Sequence, residues 1–576
     1  MVKLLRYLRG SAIICAILAP ITMSLEVIMD LLQPTLMANI IDIGVANGDL
    51  SYVFNIGLKM IITAIISFVA GISCSFFASI AAMKMGENLR QGIFDKIQTL
   101  SFLEIDKFKT SSLITRLTND VTQVQNMVLM GLRIMVRAPL LAIGGLFMAI
   151  RLSSKLSLIL AVSIPIIIVS VAFILRKSMP LFKVAQEKLD KINIVMRESI
   201  LGVRVIKSFT IEKNQEKIFN EVNSELMNNS IKSQNMNLVL WPIASLIMNL
   251  TVVAVLWIGG NMVNTGSIEV GKIMAFINYL MQIMNSIIMV IGISLNFSRA
   301  KASSDRINEV LNTESSIKDS KDSVEINNFD IEFKDVCFKY NKHSELVLEN
   351  ISFKAKQGEK IGIIGSTGCG KSSFVNLIPR LYDVTSGEVL IGGVNVKNIK
   401  LKDLRDNIGI VLQDSILFSG TIEDNLTFGN ENADMKLMES SSKDAQAYEF
   451  IKSKEDTYKS IVEQRGKNLS GGQKQRLSIA RTLIKNPKIL IMDDSSSALD
   501  MATEAKLQDA INSRMKELTV ITIAQRISGV MEADKIIVLN DGKISAMGTH
   551  DELLKNSEIY KSIAVSQLGE EVTSIV

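Results

Sequence analysis

Long apolar runs dominate roughly the first three hundred residues of the chain, whereas the remainder alternates short apolar segments with turns and polar stretches. A helix needs about 20 mostly apolar residues to cross the hydrocarbon core of a bilayer. Several runs are longer than this, which indicates helices that project beyond the membrane. The pattern predicts six membrane-spanning helices, at residues 11–43, 52–84, 121–150, 156–178, 237–263 and 270–298.

Two long polar segments between the predicted spans keep a helical periodicity. Residues 85–120 and 179–236 contain few helix-breaking residues, and Pro180 is their only proline. Neither segment has enough apolar residues for a hydrophobic core of its own. We therefore expect the spans to continue as helices into the cytoplasm, and small separate domains are the alternative.

The distribution of Lys and Arg predicts the orientation of the spans, because basic residues concentrate in cytoplasmic loops. They lie before the first span, in the two long polar segments and after the sixth span, which places both termini in the cytoplasm. The loop between spans three and four carries Arg151 and Lys155 against this trend. We assign the orientation from the two longer segments, because they contain more basic residues than this short loop.

A different pattern begins near Asp330, where short β-branched strands alternate with turns and helices. The buried strand at 360–364 runs into a sequence of the form G-x-x-x-x-G-K-[ST], and a helical segment follows. Such a loop wraps backbone N–H groups around phosphates, while its lysine reaches the β- and γ-phosphates and the next hydroxyl binds Mg²⁺. The predicted nucleotide-binding residues are Gly365, Ser366, Thr367, Gly368, Cys369, Gly370, Lys371, Ser372 and Ser373.

A second apolar strand, at 489–492, ends in two carboxylates, Asp493 and Asp494. In P-loop ATPases a carboxylate at this place associates with Mg²⁺. Asp493 is therefore predicted to act with Ser372 at the metal ion.

Between these two elements lies the pentapeptide Leu469-Ser470-Gly471-Gly472-Gln473. In this context it resembles the signature motif of ATP-binding cassette (ABC) transporters. Tyr340 matches the family's adenine-stacking aromatic residue, and Gln413 matches the loop glutamine that touches Mg²⁺ and the membrane domain. Ser497-Ala498-Leu499-Asp500 matches the D-loop, and residues 113–120 resemble part of the exporter membrane domain.

The resemblance covers nearly the whole chain, because six spans ahead of one cassette is the arrangement of ABC exporter half-transporters. It implies a multidomain protein, with an all-α six-helix transmembrane domain and long cytoplasmic helical extensions at residues 1–310. A linker at 311–328 and an α/β P-loop ATP-binding cassette at 329–570 would follow. It also implies ATP and Mg²⁺ as cofactors, a plasma-membrane location, and a second half-transporter as partner. In this family each ATP lies between the P-loop of one cassette and the LSGGQ of the other.

Two positions nearest the γ-phosphate depart from the family pattern. Asp494 stands where the family has the Glu that orients the attacking water, and Gln525 stands where it has a His that contacts the γ-phosphate. The shorter Asp withdraws its carboxylate by roughly 1.5 Å, the length of one bond. Misplacements of about 1 Å can reduce a rate about a hundredfold. The two changes predict a site that binds ATP and hydrolyses it poorly.

The signature motif, in contrast, is intact. An intact LSGGQ beside a weak catalytic pair is expected in a heterodimer, where residues 469–473 complete an active site on the P-loop of a different chain. Heterodimeric multidrug ABC exporters show this asymmetry, and the chain resembles that subgroup. The alternatives are a regulatory subunit that binds ATP without its own transport pathway, and a homodimeric lipid or peptide exporter with slow ATPase.

Charged residues inside the predicted spans are costly and are therefore candidates for function. Glu26 and Asp30 lie one turn apart in span one, Arg133 and Arg137 lie one turn apart in span three, and Asp42 lies near the outer end of span one. Counted from the outer ends at ~1.5 Å per residue, Glu26 matches the depth of Arg133, and Asp30 matches that of Arg137. The pattern predicts either a structural ladder of ion pairs or an acidic lining for cationic cargo.

The composition bears on three further questions, namely nucleic-acid binding, cysteine chemistry and the kind of substrate. A net charge of +5 without an arginine-rich stripe gives no indication of nucleic-acid binding. The four cysteines lack the spacing of a metal site or a disulfide framework, and Cys369 is a candidate for oxidation sensitivity. Aromatic and methionine side chains in spans five and six favour a hydrophobic or amphipathic, drug-like substrate. The expected partners are the lipid bilayer, that substrate and a second chain.

Overall fold

The computed structural model describes residues 2–320, 324–341, 344–495, 499–514 and 517–568. Its backbone contacts divide the chain into two compact units. The first comprises Met1–Gln98 and Ser111–Thr313, and the second comprises Thr99–Thr110 and Glu314–Val576. The short segment Thr99–Thr110 therefore belongs with the C-terminal part of the chain, although long helices flank it on both sides.

The described residues of the first unit form helices joined by short turns. Together with α3, which belongs to the second unit, its helices are α1 (Ser11–Asn39), α2 (Leu50–Gln98), α3 (Phe102–Phe108), α4 (Thr110–Thr115), α5 (Val121–Leu152), α6 (Ser154–Leu201), α7 (Val203–Ser208), α8 (Glu212–Leu238), α9 (Leu240–Asn264) and α10 (Val270–Asn312). Within the described residues, six helical segments are long and apolar enough to cross a membrane, as the hydrophobic pattern predicts. They are Ser11–Val45, Leu50–Gln98, Thr110–Leu152, Ser154–Leu201, Glu212–Asn264 and Val270–Val290.

The helices extend well beyond the apolar runs. α2 continues into the first polar segment as far as Gln98, and α6 passes through Pro180 and ends only at Leu201. After the short helix α7, the chain returns along α6 as α8, and Lys188 Nζ donates to Glu225 at 2.7 Å across this pair. The polar segments thus form helical extensions, interrupted by short connecting helices that the periodicity did not predict.

A buried carboxylate joins the start of α5 to the end of α10. Asp120 is fully buried and ends a π-helical turn at Arg116–Asp120. It accepts hydrogen bonds from Ser303 Oγ and Arg306 Nε, each at 2.8 Å. Arg116 makes a further ion pair with Glu309 at 2.9 Å. Because an ionised group is costly to bury without partners, these contacts fix the two helices against each other.

The second unit is an α/β structure. Its strands are β1 (Ile331–Phe338), β2 (Leu348–Ala355), β3 (Lys360–Gly365), β4 (Ser386–Ile391), β5 (Val394–Asn395), β6 (Ile408–Val411), β7 (Gly420–Thr421), β8 (Ile461–Val462), β9 (Ile489–Asp493), β10 (Thr519–Ile523), β11 (Lys535–Asn540) and β12 (Lys543–Gly548). Its helices after α3 are α11 (Lys371–Asn376), α12 (Leu401–Asp406), α13 (Ile422–Thr427), α14 (Met435–Asp444), α15 (Tyr448–Lys452), α16 (Gly471–Leu483), α17 (Met501–Arg514), α18 (His550–Asn556) and α19 (Glu558–Leu568).

The largest sheet of this unit has the strand order β12-β11-β3-β10-β9-β6, and its neighbours are parallel except at the edge strand β12. An antiparallel sheet in the order β2-β1-β4-β5 accompanies it. Asp493 is in register with Ile523, and Ile523 is in register with Ile363. Since parallel strands end at the same edge of a sheet, the residues that follow β3, β9 and β10 come together there.

Helix α3 is attached to the second unit through Tyr382. The Tyr382 hydroxyl donates to Asp106 at 2.7 Å, and the Tyr382 ring lies 6.2 Å from the ring of Phe102. Ser101 caps the helix, and Glu104 accepts from the Ser101 N–H at 3.0 Å. Burial, and then the neighbouring carboxylate, raises the pKa of Tyr382, so the phenol remains a donor to Asp106.

Candidate functional site

The loop between β3 and α11 has a conformation that depends on its glycines. Gly370 has a φ of +100°, which favours glycine over residues with a side chain. A Cβ atom on Gly365 would lie 2.1 Å from the carbonyl oxygen of Leu539. Lys371 Nζ donates to the carbonyl oxygens of Gly365 at 2.8 Å and Ser366 at 2.9 Å. The lysine side chain therefore folds back onto its own loop. A bound phosphate group would compete with these two carbonyl oxygens for the lysine N–H donors.

Ser372 and Asp493 face each other beside this loop. Ser372 Oγ donates to Asp493 Oδ1 at 3.1 Å. Burial raises the pKa of the Asp493 carboxyl, and the hydrogen bond from Ser372 offsets part of this effect. Hydroxyl and carboxylate oxygens suit Mg²⁺, whose charge would favour the ionised carboxylate. The described residues contain no group of three or more His, Cys, Asp or Glu side chains placed to hold a metal ion, so Mg²⁺ would need oxygens from the nucleotide as well.

Two side-chain amides hold the carboxylate of Asp494. Gln525 Nε2 donates to Asp494 Oδ2 at 2.6 Å, and Gln413 Nε2 donates to the same oxygen at 3.2 Å. Asp494 has a φ of +48°, a left-handed conformation that Asp adopts more readily than most residues. Burial raises the pKa of Asp494, and the hydrogen bond from Gln525 acts in the opposite direction. The two positions that depart from the family pattern thus contact each other directly.

A cavity of about 310 Å³ brings most of the predicted nucleotide residues together. This volume lies at the lower end of the range for small-ligand sites, about 300–1,000 Å³. The lining consists of Tyr340, Val347, Thr367, Gly368, Gly370, Lys371, Ser372, Ser373, Gln413, Asp493, Asp494, Ile523 and Gln525. Gly365, Ser366 and Cys369 belong to the loop but not to this lining. Cys369 is only 5 % exposed, which shelters its thiol from soluble oxidants.

Tyr340 lies in this cavity among other aromatic rings. Its hydroxyl is 2.7 Å from Ser373 Oγ, and either oxygen can be the donor. Its ring stands perpendicular to the ring of Tyr382 at 5.2 Å and close to perpendicular to that of Phe338 at 4.8 Å. Ser373 therefore contacts the tyrosine in this structure. Stacking of an adenine on Tyr340 stays a prediction.

The signature motif lies outside this cavity, at the start of α16. Ser470 caps the helix: its Oγ accepts from the Gln473 N–H at 3.3 Å, and Gln473 Oε1 accepts from the Ser470 N–H at 3.0 Å. Leu469 is buried, whereas a Cβ atom on Gly471 would meet no atom within 4 Å. The motif, which ends with Gly472 and Gln473, is thus held in shape by its own cap and presents an open surface at Gly471.

The predicted D-loop is only partly described. Ser497 and Ala498 lie outside the described residues. Asp500 accepts hydrogen bonds from the Thr503 backbone N–H at 2.9 Å and from Thr503 Oγ1 at 2.8 Å, and these bonds lower its pKa. Asp500 therefore acts as a cap for α17, and it does not line the nucleotide cavity.

Gln567, near the end of α19, holds the loop that carries Gln525, and no motif or periodicity in the sequence indicated it. Gln567 Nε2 donates to the carbonyl oxygen of Gln525 at 2.8 Å. The backbone N–H of Ile527 donates to Gln567 Oε1 at 2.8 Å. One side-chain amide thus fixes the backbone on both sides of Arg526. Gln525 in turn donates to Asp494, so hydrogen bonds connect α19 to this carboxylate.

Replacing Gln567 by Leu is expected to loosen this loop without unfolding the cassette. Two hydrogen bonds of about 1 kcal/mol each are lost, so the Ile527 amide should exchange its hydrogen roughly tenfold faster or more. Hydrogen exchange read by mass spectrometry over residues 524–530 measures this change. Ser566→Ala, at an exposed neighbouring position of α19, is the matched control. Equal exchange in the Gln567 variant and the control would show that the amide does not hold the loop.

In the first unit, Arg137 of α5 pairs with both carboxylates of α1. It forms an ion pair with Glu26, and its Nη2 lies 3.0 Å from Asp30 Oδ2. Ser67 Oγ donates to the other oxygen of Asp30 at 2.7 Å. The predicted pairing of Asp30 with Arg137 is present, whereas the predicted pairing of Glu26 with Arg133 is wrong. One guanidinium reaches both acids because they lie one helical turn apart.

Asp42 has a separate role at the start of α10. Its Oδ1 accepts from the Gly271 backbone N–H at 2.5 Å. The first N–H groups of a helix have no partner within the helix, so this contact satisfies one of them. Asp42 thus joins the end of the first span to the start of the sixth.

Removing Arg137 is expected to destabilise the membrane unit strongly. Arg137→Gln leaves two carboxylates without their cation, and since breaking a fully buried pair costs about 3–5 kcal/mol, this partly exposed cluster sets that range as the upper limit. Thermal unfolding of the detergent-purified chain measures the loss. Adding Glu26→Gln and Asp30→Asn to the same chain should restore most of the stability. Arg133→Gln serves as the control, and an equal loss in that variant would contradict the assigned pairing.

Comparison with known proteins gives matches along both units. The family model described as "ABC transporter transmembrane region" matches residues 16–287, and the one described as "ABC transporter" matches residues 348–497. The chain is 42 % identical over 571 residues to the uncharacterized ABC transporter ATP-binding protein YfiB of Bacillus subtilis, covering 99 % of each chain. It is 35 % identical over 494 residues to the putative multidrug export ATP-binding/permease protein YgaD of the same organism, covering 85 % of each.

A solved structure shares this fold. A bacterial Atm1-family ABC exporter with ATP bound superimposes with a TM-score of 0.81, covering 96 % of this chain and 98 % of the exporter chain. The two sequences are 23 % identical. At this identity the comparison concerns the fold, in which six membrane helices precede an α/β nucleotide-binding domain.

Proposed function

Because this chain belongs to the ABC transporter family, we propose that it is one subunit of a heterodimeric exporter, whose own ATP site hydrolyses slowly. The chain fuses a membrane domain to an ATP-binding cassette, which is the half-transporter arrangement, and the family couples ATP hydrolysis to transport. In a dimer of such chains each ATP site is composite, because it combines the P-loop of one chain with the LSGGQ of the other. The proposal concerns which of these two sites performs most of the hydrolysis.

The observation that carries the proposal is the contact between Asp494 and Gln525. A residue that activates water needs a carboxylate that reaches the water and accepts its proton. In this chain the carboxylate is one methylene shorter, and one of its oxygens accepts from two amide donors. Gln525 cannot carry the positive charge that a histidine can place near the γ-phosphate. Both changes weaken hydrolysis and leave nucleotide binding possible.

The binding residues support ATP at this site. Lys371 presents its ammonium at the mouth of the glycine-rich loop, where phosphate oxygens can replace the two carbonyl oxygens that it now contacts. Ser372 and Asp493 fit Mg²⁺, and the amide oxygen of Gln413, whose Nε2 donates to Asp494, is a third candidate ligand. When bound, Mg²⁺ neutralises charge on the β- and γ-phosphates.

The geometry of residues 469–473 supports a role in a second chain's site. The cap between Ser470 and Gln473 holds the start of α16 in shape, and the surface at Gly471 is open. A helix start with free N–H groups is suited to bind phosphate oxygens. We propose that this surface completes a site built on a partner's P-loop, with Glu and His at the partner's catalytic positions.

The direction of transport and the cargo are also part of the proposal. The Lys and Arg distribution supports cytoplasmic termini, an orientation in which the cassette would face cytoplasmic ATP. The name of YgaD, a putative multidrug exporter, supports outward transport of hydrophobic or amphipathic compounds across the plasma membrane. A cavity between the membrane helices, described below, can hold such a compound.

The ATPase rate of the chain purified alone tests the proposal. The homodimer is expected to bind ATP with Mg²⁺ and to hydrolyse it slowly, whereas the chain co-purified with its partner half-transporter should turn over at least about a hundredfold faster. Lys371→Ala is the control for nucleotide binding. Rapid hydrolysis by the chain alone, abolished by Lys371→Ala, would overturn the heterodimer proposal in favour of a homodimeric exporter.

A further inference from the structure

A charged cavity of about 740 Å³ lies between helices α1, α2, α5 and α10 of the membrane unit. Its volume fits a drug-sized solute, since small-ligand sites commonly have about 300–1,000 Å³. Apolar side chains form part of its wall, among them Met23, Phe68, Ile72 and Met289. The cavity also contains the Arg137 cluster with Glu26 and Asp30, and polar side chains outside this cluster, among them Arg133 and Gln282.

The carboxylates in this cavity already have partners. Arg137 contacts Glu26 and Asp30, and Ser67 donates to Asp30. Glu26 is only 8 % exposed and packs against Gly71, where a Cβ atom would lie 3.0 Å from its Oε2. A cationic ligand would therefore have to compete with a guanidinium that is held by two acids. This arrangement argues against the acidic lining for cationic cargo that the sequence suggested.

Among the charged residues that line this cavity, Arg133 is the one that forms no ion pair with any described residue. It lines the cavity, one turn from Arg137, and within the described part of the chain it makes no ion pair and no side-chain hydrogen bond. At ~1.5 Å per residue, Arg133 lies about 28 Å from the end of α5 at Leu152, close to one face of a hydrocarbon core about 30 Å thick. At this depth, near the membrane surface, water or an anion can reach the guanidinium and compensate its charge.

Gln282 of α10 supplies a second unused group in the same wall. Its Oε1 is shielded from solvent and accepts no hydrogen bond from the described residues. A buried acceptor without a hydrogen bond lowers the stability of the protein by about 1–3 kcal/mol unless a donor reaches it. As far as the described residues show, the cavity thus offers a guanidinium without a counter-ion, an amide oxygen without a donor, and apolar walls.

We infer that this cavity binds an amphipathic anion, with its anionic group on Arg133, a hydrogen-bond donor on Gln282 and its apolar body against Met23, Phe68 and Met289. This inference names the substrate class of the proposed exporter and rests on that proposal for its biological meaning. Carboxylate, sulfonate or phosphate groups all fit, because a guanidinium binds each of them through paired N–H donors. The anionic group can belong to a soluble compound or to a lipid headgroup.

Two probes with the same aromatic body test the inference directly. 8-Anilino-1-naphthalenesulfonate carries an anionic group, an N–H donor and apolar rings, and N-phenyl-1-naphthylamine lacks only the sulfonate. Both are titrated by fluorescence against the full chain in nanodiscs of phosphatidylcholine, without ATP. Arg133→Gln should weaken binding of the sulfonate by at least about tenfold and leave the neutral probe within about twofold. Arg133→Lys should retain part of the sulfonate binding, because the charge remains but the paired donors are lost.

Arg151→Gln, on the same helix but outside the cavity, is the matched control and should change neither affinity. Equal affinities of the two probes for the unsubstituted chain, or an Arg133→Gln variant that binds the sulfonate as before, would overturn the inference. Nanodiscs that contain phosphatidylglycerol distinguish a lipid headgroup from a soluble compound as the source of the anion. If a lipid headgroup reaches Arg133, it displaces the sulfonate probe. If the site takes soluble compounds, the probe stays bound. No ATP is present, so a failure of the heterodimer proposal would not alter these affinities.

Discussion

The purified chain carrying both Asp494→Glu and Gln525→His is expected to hydrolyse ATP about a hundredfold faster than the unsubstituted chain. The added methylene moves the carboxylate toward the γ-phosphate, and the imidazole can place a positive charge there. Lys371, Ser372 and the signature motif are left unchanged, because they match the family pattern. Two copies of the double variant would contain two complete composite sites.

Each single substitution should produce a smaller gain than the pair. Gln525→His removes the 2.6 Å hydrogen bond to Asp494, and Asp494→Glu alone leaves Gln525 as a donor to the new carboxylate. Steady-state phosphate release measures all the variants. Asp509→Glu with Gln508→His makes the same chemical changes on α17, away from the nucleotide cavity, and should have no effect. An unchanged rate in the Asp494 and Gln525 double variant would mean that these two positions do not limit hydrolysis.

Replacing Ser470 by Arg in the co-purified pair is expected to remove nearly all of its ATPase, a loss of about a hundredfold or more. The substitution removes the side-chain cap of α16 and places a long cation at the surface that we assign to the partner's γ-phosphate. The ATP turnover rate of the pair should therefore fall, while this chain's own P-loop should still bind ATP.

Loss of a helix cap could by itself disturb the cassette, at a cost of about 1 kcal/mol. Thr549→Arg removes an equivalent cap, in which Thr549 and Glu552 exchange hydrogen bonds at the start of α18. This variant should retain most of the ATPase of the pair. Similar losses in the Ser470 and Thr549 variants would assign the effect to stability and would contradict a role for the motif in the partner's site.

Elements that depend on local pattern were predictable from the sequence. The six spans follow from uninterrupted apolar runs, and the P-loop follows from glycines in a fixed order between a strand and a helix. The gathering of Lys371, Ser372, Asp493 and Gln525 in one cavity also follows, because parallel strands end at the same edge of a sheet.

Contacts between distant side chains were not predictable in the same way. Depth along a helix suggested that Glu26 and Arg133 pair, but depth does not specify rotation, and Arg137 reaches both acids. The amide of Gln567 and the bond between Tyr382 and Asp106 have no local sequence signal, because each joins segments that are far apart along the chain. Such contacts depend on tertiary packing, which a residue pattern in one segment does not encode.

The central claim is that hydrolysis depends on this chain's signature motif rather than on its own Asp494. The most direct measurement is the ATPase rate of the co-purified pair when this chain carries Asp494→Asn, which removes the charge of the carboxylate and keeps its size. The account predicts that the pair retains more than about half of its activity, because the catalytic carboxylate lies on the partner. A fall to the level of the Ser470→Arg pair would contradict it and would show that Asp494 is itself a catalytic residue.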